Sequence, residues 1–516
     1  MKKLFFAYLV AASVAISASF AEFQINTYTS SYQSNPAVAA DANGNFIVVW
    51  NSYGQDGNSN GIFGQQFNPD CTPAGDDEFQ INTTTTGNQS EPDVAVNSAG
   101  SFVIVWQGPG ISQEEIFARR FDPNGQPLNS EFRVNTTTFS HQHSPEIAIS
   151  KTGSFVIVWE SDQTAGSPSD VWWISFQLYD SNGTAVGTET TANLLSQCRN
   201  PDVAMDDNSN FTIVWTQDDI YHSSNLIMAR QYNAGGSPKA DPFEVSTVDF
   251  NSTPKPAIAM DMYGYFVIVW DSNPQSKSNN DINARRYNSA GTPLTEQFIV
   301  NTTTAGAQES PKVASNDQQF IVVWNSETIP GSSIRDIFGQ RFEPARNPLG
   351  DEFRINTYLA DDQKYPAVAM LPGGKFITVW QSMGQDSSNF GIFGEIGPKA
   401  GSADITHNGF VDFFDFSRLA QEWLKNQNPL TADLIDDNKI DELDLAAFCD
   451  QWLTPCYDCS QVDLNDDAQI DFIDYSRWAG DWLKQGPNLA GDITSDGLVT
   501  FTDLKPISFH WATSCQ

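Results

Sequence analysis

Phe155-Val156-Ile157-Val158-Trp159 is apolar at every position, and so is Phe46-Ile47-Val48-Val49-Trp50. A strand with one wet face alternates apolar and polar residues, whereas one that does not alternate is buried on both faces. The segment recurs with its closing tryptophan at Trp50, Trp106, Trp159, Trp215, Trp270, Trp324 and Trp380, at spacings of 56, 53, 56, 55, 54 and 56 residues. A proline keeps step ahead of it, at Pro36, Pro92, Pro145, Pro201, Pro256, Pro311 and Pro366. Two markers in phase through seven copies define an internal repeat.

Each repeat holds four short β-type segments. In the first copy they are Phe23–Thr27, Pro36–Ala40, Phe46–Trp50 and Ile62–Phe67, divided by Gly, Asn, Asp and Pro clusters. Four strands per unit, this period and seven copies predict a mainly β fold, a closed seven-bladed β-propeller. Closure would also remove exposed sheet edges. The alternative is an open β solenoid. The repeated tryptophan is expected to fill the space between blades. The loops that follow it (Asn51–Gly61, Gln107–Glu115, Glu160–Asp170 and their counterparts) should gather on one functional face.

The first 21 residues read as an export signal. Lys2 and Lys3 form a basic start, Leu4 to Ile16 an apolar run, and Ser19-Phe20-Ala21 a small-x-small cleavage pattern. The run is too short to span a bilayer and nothing later approaches 18 apolar residues, so no membrane span is expected. The mature chain is expected to begin at Glu22 and to be secreted or held at the cell surface. Against 27 Lys and Arg stand 63 Asp and Glu, a formal charge of −36 that becomes −38 without Lys2 and Lys3. Such acidity argues against nucleic acid as a partner. Of the six cysteines, four lie in the tail (Cys449, Cys456, Cys459 and Cys515), where three pairings are open, while Cys71 and Cys198 lie in different repeats.

From Asp404 the period shortens to about 29 residues, the spacing of four twelve-residue acidic loops. Calcium takes six to eight oxygens, and a loop wraps it with side chains at positions 1, 3, 5, 9 and 12 and a carbonyl at position 7. The first loop offers Asp404, Thr406, Asn408, Phe410, Asp412 and Asp415, with Gly409 at the sharp turn. The third offers Asp463, Asn465, Asp467, Gln469, Asp471 and Asp474, and the fourth Asp492, Thr494, Asp496, Leu498, Thr500 and Asp503. The second keeps Asp433, Asp437, Asp441 and Asp444 but has Ile435 where an oxygen belongs, so it should bind weakly. Each loop leads into an amphipathic helix with a tryptophan eight residues after its last Asp: Trp423, Trp452, Trp482 and Trp511.

This tail resembles type I dockerins, whose calcium loop–helix units work in pairs. The resemblance implies an all-α calcium-binding module, Ca2+ as the bound ion, a cohesin-like partner and membership of an extracellular polysaccharide-degrading assembly. Four units imply two pairs, 404–455 and 456–516, joined through a linker at 399–403 to a propeller over 22–398. The front repeats resemble secreted bacterial β-propeller repeats.

The propeller half carries no nucleophile elbow, no His-Glu-x-x-His and no phosphate-binding glycine loop. His141-x-His143 is a metal-type pair on an expected exposed loop. Glu114, Glu115, Asp162, Asp218, Asp219 and Asp336 fall in or beside the loop face, and a suitably separated carboxylate pair among them could cleave glycosides. Trp172-Trp173, expected in an insertion, could stack on a sugar. Asp56 and Asp386 occupy matching Gly-Gln-Asp turns and are further calcium candidates. The expected function is a binding or scaffold protein, the propeller recognising a glycan or protein ligand and the tail docking. The alternative is a secreted carbohydrate-active hydrolase or lyase.

Overall fold

A computed structural model describes residues 22–397 apart from 76–77, 111–112, 139, 163–170, 196, 220–223, 247–252, 273–279, 328–333 and 388. The described strands form seven four-stranded antiparallel sheets. In blade one the order from the centre outward is Gln33–Ala40, Phe46–Tyr53, Asn60–Phe67 and Phe79–Gln80. The innermost strands of successive blades touch in sequence order, and that of blade seven, Gln363–Met370, returns to that of blade one. The ring is closed, as expected for a propeller. No helix among the described residues is long and apolar enough to cross a membrane.

Repeat and blade are out of phase by one strand. Phe23–Gln24, which opens the first sequence repeat, is the outer strand of blade seven, where Phe23 pairs with Gly394 and Gln24 with Phe393. Every blade is thus completed by the opening phrase of the next repeat, and the last by the start of the chain. The four segments read together as one unit in the first copy therefore belong to two blades.

The core sits between blades rather than within them. Phe46, Val48 and Trp50 pack against Ile377 and Val379 of blade seven, while Ile47 and Val49 pack against Phe102, Ile104 and Trp106 of blade two. Both faces of the second strand are covered by neighbours, which is why its residues do not alternate. All seven repeated tryptophans are among the largest fully buried side chains.

Polar side chains join the strands at fixed places. The asparagine of a repeated Ile/Val-Asn-Thr phrase just after the outer strand accepts a backbone N–H from the third strand of its blade: Asn82 from Ile62 at 2.8 Å, Asn301 from Ile282 at 2.7 Å, Asn356 from Ile337 at 2.7 Å. The glutamate before the outer strand reaches the preceding blade, Glu131 accepting from the Thr83 amide at 2.6 Å and Glu352 from Thr302 at 2.5 Å. Glu22 does the same for Thr357, whose amide and hydroxyl both lie at 2.6 Å, and so carries the pattern across the closure of the ring.

Candidate binding face and central channel

The inner strands begin with a backbone feature that the repeat proline marks. The residue before it adopts a positive φ in six blades: Asn35 (52°), Glu91 (53°), Ser144 (50°), Asn200 (50°), Ser310 (54°) and Tyr365 (55°). Proline favours an extended residue before it, and a non-glycine at positive φ is uncommon, so the conformation needs support. It sits in a β-bulge that shifts the register in each of these six blades. In four of them its N–H is caught by the side chain after the preceding blade's tryptophan. Asn35 donates to Gln381 at 3.1 Å, Ser144 to Gln107 at 3.1 Å, Asn200 to Glu160 at 2.7 Å and Tyr365 to Asn325 at 3.0 Å. The sequence carries a trace of this latch that our reading missed: every repeated tryptophan is followed by a polar residue.

Just past the bulge, four charged residues meet in the central channel. Lys312 of blade six reaches across to Glu146 of blade three, Nζ to Oε1 at 3.4 Å. Asp93 accepts the Ile147 amide at 2.9 Å and Asp202 the Ile258 amide at 3.0 Å, each bridging to the next blade. The Asp93 and Glu146 carboxyls are close enough to perturb one another. Burial pushes the Asp202 carboxyl up to about 7 despite Lys312. Asp93 and Glu146 are raised for the same reason. Burial pulls Lys312 down, but Glu146, Asp202 and Asp93 together pull it further up. The Lys312 and Glu146 side chains keep 40% and 24% of their surface exposed, so the pair meets channel water rather than dry protein.

The paired registers place the loops after the tryptophans and the starts of the inner strands on one face, Gln33 lying opposite Ser52 and Gln142 opposite Ser161. On this face Glu114, His141 and His143 come together, their ligand atoms all within 4.8 Å of one another. His143 belongs to the inner strand Gln142–Ile149 rather than to a loop, and His141 immediately precedes it, so the expected loop pair is corrected. Burial lowers the His143 imidazole pKa against the pull of Glu114. Trp172 and Trp173 are not in an insertion either. They open the third strand of blade three, where Asp162 pairs with Trp172 and Ser161 with Trp173, the place the corresponding residues hold in other blades. Trp172 is buried, lying between the tilted His143 ring and the Arg199 guanidinium, whose Cζ lies 4.0 Å from its ring centroid. Trp172 is thus a packing residue, while Trp173 beside it is half-buried.

The candidate carboxylates separate accordingly. Glu115 is fully buried and accepts from Asn135 at 2.8 Å; Asp336 accepts from Asn356 at 2.7 Å. Asp162 accepts from the Ser140 hydroxyl at 2.5 Å. Asp218 and Asp219 end the second strand of blade four. Asp56 caps its own turn through the Asn58 amide at 3.0 Å. In the matching turns Gln55 and Gln385 hold Glu78 and Glu22, each at 2.6 Å. The turns thus support the blade-to-blade contacts. Cys71 and Cys198 are both free thiols and do not meet. The calcium loops, the tail cysteines and the signal segment lie outside the described residues.

No family model and no curated protein matches the chain. Solved structures align at low identity. Polysaccharide lyase Uly1 aligns at 9% identity with a TM-score of 0.47, over 75% of this chain and 94% of its own. A protein of unknown function from Dyadobacter fermentans aligns at 10% identity with a TM-score of 0.45, over 73% and 98%. The β-propeller domain of the trilobed protease from Pyrococcus furiosus aligns at 10% identity with a TM-score of 0.43, over 72% and 94%.

Proposed function

We propose that the chain is a secreted, calcium-binding modular protein. Its propeller is a binding or scaffold module for a glycan or protein ligand. Its dockerin-like tail docks with calcium to a cohesin-like partner in an extracellular, polysaccharide-degrading assembly. The observation that supports the propeller half is the engagement of its channel acids. Glycoside hydrolysis needs two carboxyl groups flanking a bound sugar, about 5–5.5 Å or 6.5–9.5 Å apart. Here Asp93 and Asp202 are held by backbone amides of the next blade, and Lys312 ties Glu146 across the channel. Tyr53, stacked on Tyr32 at 5.0 Å, and Tyr365, by contrast, each leave 41% of their surface open to a ligand. The tail half rests on its loop sequences: three complete ligand sets and one damaged by Ile435.

A second reading, a secreted hydrolase or lyase, draws on the closeness of Asp93 and Glu146, two carboxyls raised in one site as in some acid–base catalysts. Two measurements separate the readings. Calorimetry of the full chain against a purified type I cohesin module should give binding in calcium and none in excess chelator. Polysaccharide panels incubated with the same chain should show retention without new reducing or unsaturated ends. Depolymerisation that disappears in Glu146→Gln would establish the enzyme instead.

A further inference from the structure

We propose that Glu114, His141 and His143 form a site for a borderline divalent transition metal of the Zn2+ class on the loop face, between blades two and three. Its ligands come from two blades. Glu114 opens the third strand of blade two, Glu114–Phe121, and the two histidines stand at the start of the inner strand of blade three. Residues two apart on extended backbone project to the same side. The two rings accordingly stack at 5.3 Å between centroids and 11° between planes.

The geometry is built rather than accidental at three points. The His141 backbone carbonyl accepts the Asp162 amide at 3.0 Å, which fixes the strand entry. The His143 ring is held by Trp172 at 5.2 Å, itself backed by Arg199. Glu114 Oε2 lies 2.5 Å from His141 Nδ1, so carboxylate and imidazole already converge. A tetrahedral ion at about 2.0–2.1 Å from each ligand needs them about 3.4 Å apart. The present distances, 2.5 Å between Glu114 and His141 and within 4.8 Å overall, reach that value by a turn of the Glu114 and His141 side chains, which are 44% and 40% exposed, their mutual hydrogen bond giving way to the ion. His143, the pinned member, sets the position.

Two imidazoles and one carboxylate select the metal. Nitrogen ligands suit zinc, copper or nickel and disfavour calcium, which asks for oxygen alone. Three protein ligands leave a fourth position to water, the arrangement of reactive zinc centres rather than of closed structural ones. The site is chemically distinct from the all-oxygen loops of the tail.

The test is zinc calorimetry on the full chain, stripped of metal and then saturated with calcium so that the tail loops are filled. A histidine-dependent Zn2+ site is expected, lost in His141→Ala/His143→Ala and weakened at least tenfold in Glu114→Gln. An isotherm unchanged in the double variant would overturn the site, and an unchanged Glu114→Gln would overturn the three-ligand assignment. Should the double variant fail to fold, His141→Ala alone serves, since that side chain is 40% exposed and lies outside the inner strand. Cobalt added to the wild-type chain provides a readout without any variant. A visible absorption band that zinc abolishes is expected, and a colourless chain would end the proposal.

Discussion

Lys312 is one ammonium facing three carboxyl groups, and the charge balance makes its removal pH-dependent. Because burial raises the carboxyls, the native channel holds protons that the unfolded chain has released between about pH 4 and the folded values, about 7 at Asp202 and about 8 at Glu146. More protons bound in the native state means stability falls as pH rises through that window. Above it the acids are charged and depend on Lys312, whose own raised pKa keeps it charged until beyond about pH 10.4. Lys312→Met should therefore cost little at pH 5 and about 1–2 kcal/mol at pH 9, above the folded values of both Asp202 and Glu146 and less than a dry ion pair because the channel is wet. Urea titrations of both chains at the two pH values measure this, and a gap that does not widen would contradict it. Trp270 gives a simpler case. It is completely buried between two blades, so Trp270→Ala should cost about 3–5 kcal/mol in the same experiment.

Among the elements, the strand that closes the ring carries a role far larger than its two residues. Behind Phe23–Gln24 comes Ile25, 2% exposed in the core shared by blades one and seven. Its fit explains a small residue in the third strand: a Cβ on Gly394 would stand 3.0 Å from Ile25 Cδ1. Ile25→Ala should destabilise the chain by about 2–5 kcal/mol. Removing residues 22–27 should do more, because it also deletes the Glu22 contact to Thr357 and leaves the edge of blade seven unpaired. Thermal melting compares the two, and a truncated chain that melts with the intact one would show the closure to be dispensable.

For the molecule as a whole, the expected behaviour is that of two units with different dependences, a propeller through Gly397 and the segment from Pro398 onward. The latter holds the acidic loops, whose carboxylates repel one another until a cation arrives. Calorimetry of the chelator-treated full chain should count three calcium ions, with Asp433–Asp444 left weak by Ile435. Addition of chelator should lower helical circular dichroism while the β signal of the propeller persists. Four equal calcium sites, or a helical signal indifferent to chelation, would contradict the dockerin-like reading.

The seven-bladed architecture was legible in the chain before any coordinates, because a strand covered on both faces must be apolar throughout and a ring of such strands must repeat. Phe155–Trp159 and four of its counterparts are apolar at every position, while Phe211–Trp215 and Phe376–Trp380 each admit one buried threonine, Thr212 and Thr378. What only the tertiary structure decided depends on contacts between residues far apart in sequence. It moved each opening phrase to the preceding blade, since a strand's partner is set by closure and not by the repeat in which it is written. It turned Trp172 inward, since its partner Asp162 places it at a regular strand start. It joined Lys312 to Glu146, 166 positions away, and Glu114 to His141, 27 away. Periodicity records which face of a strand is covered. Which charged groups meet across a channel or between blades follows from how the ring closes, and no local pattern encodes that.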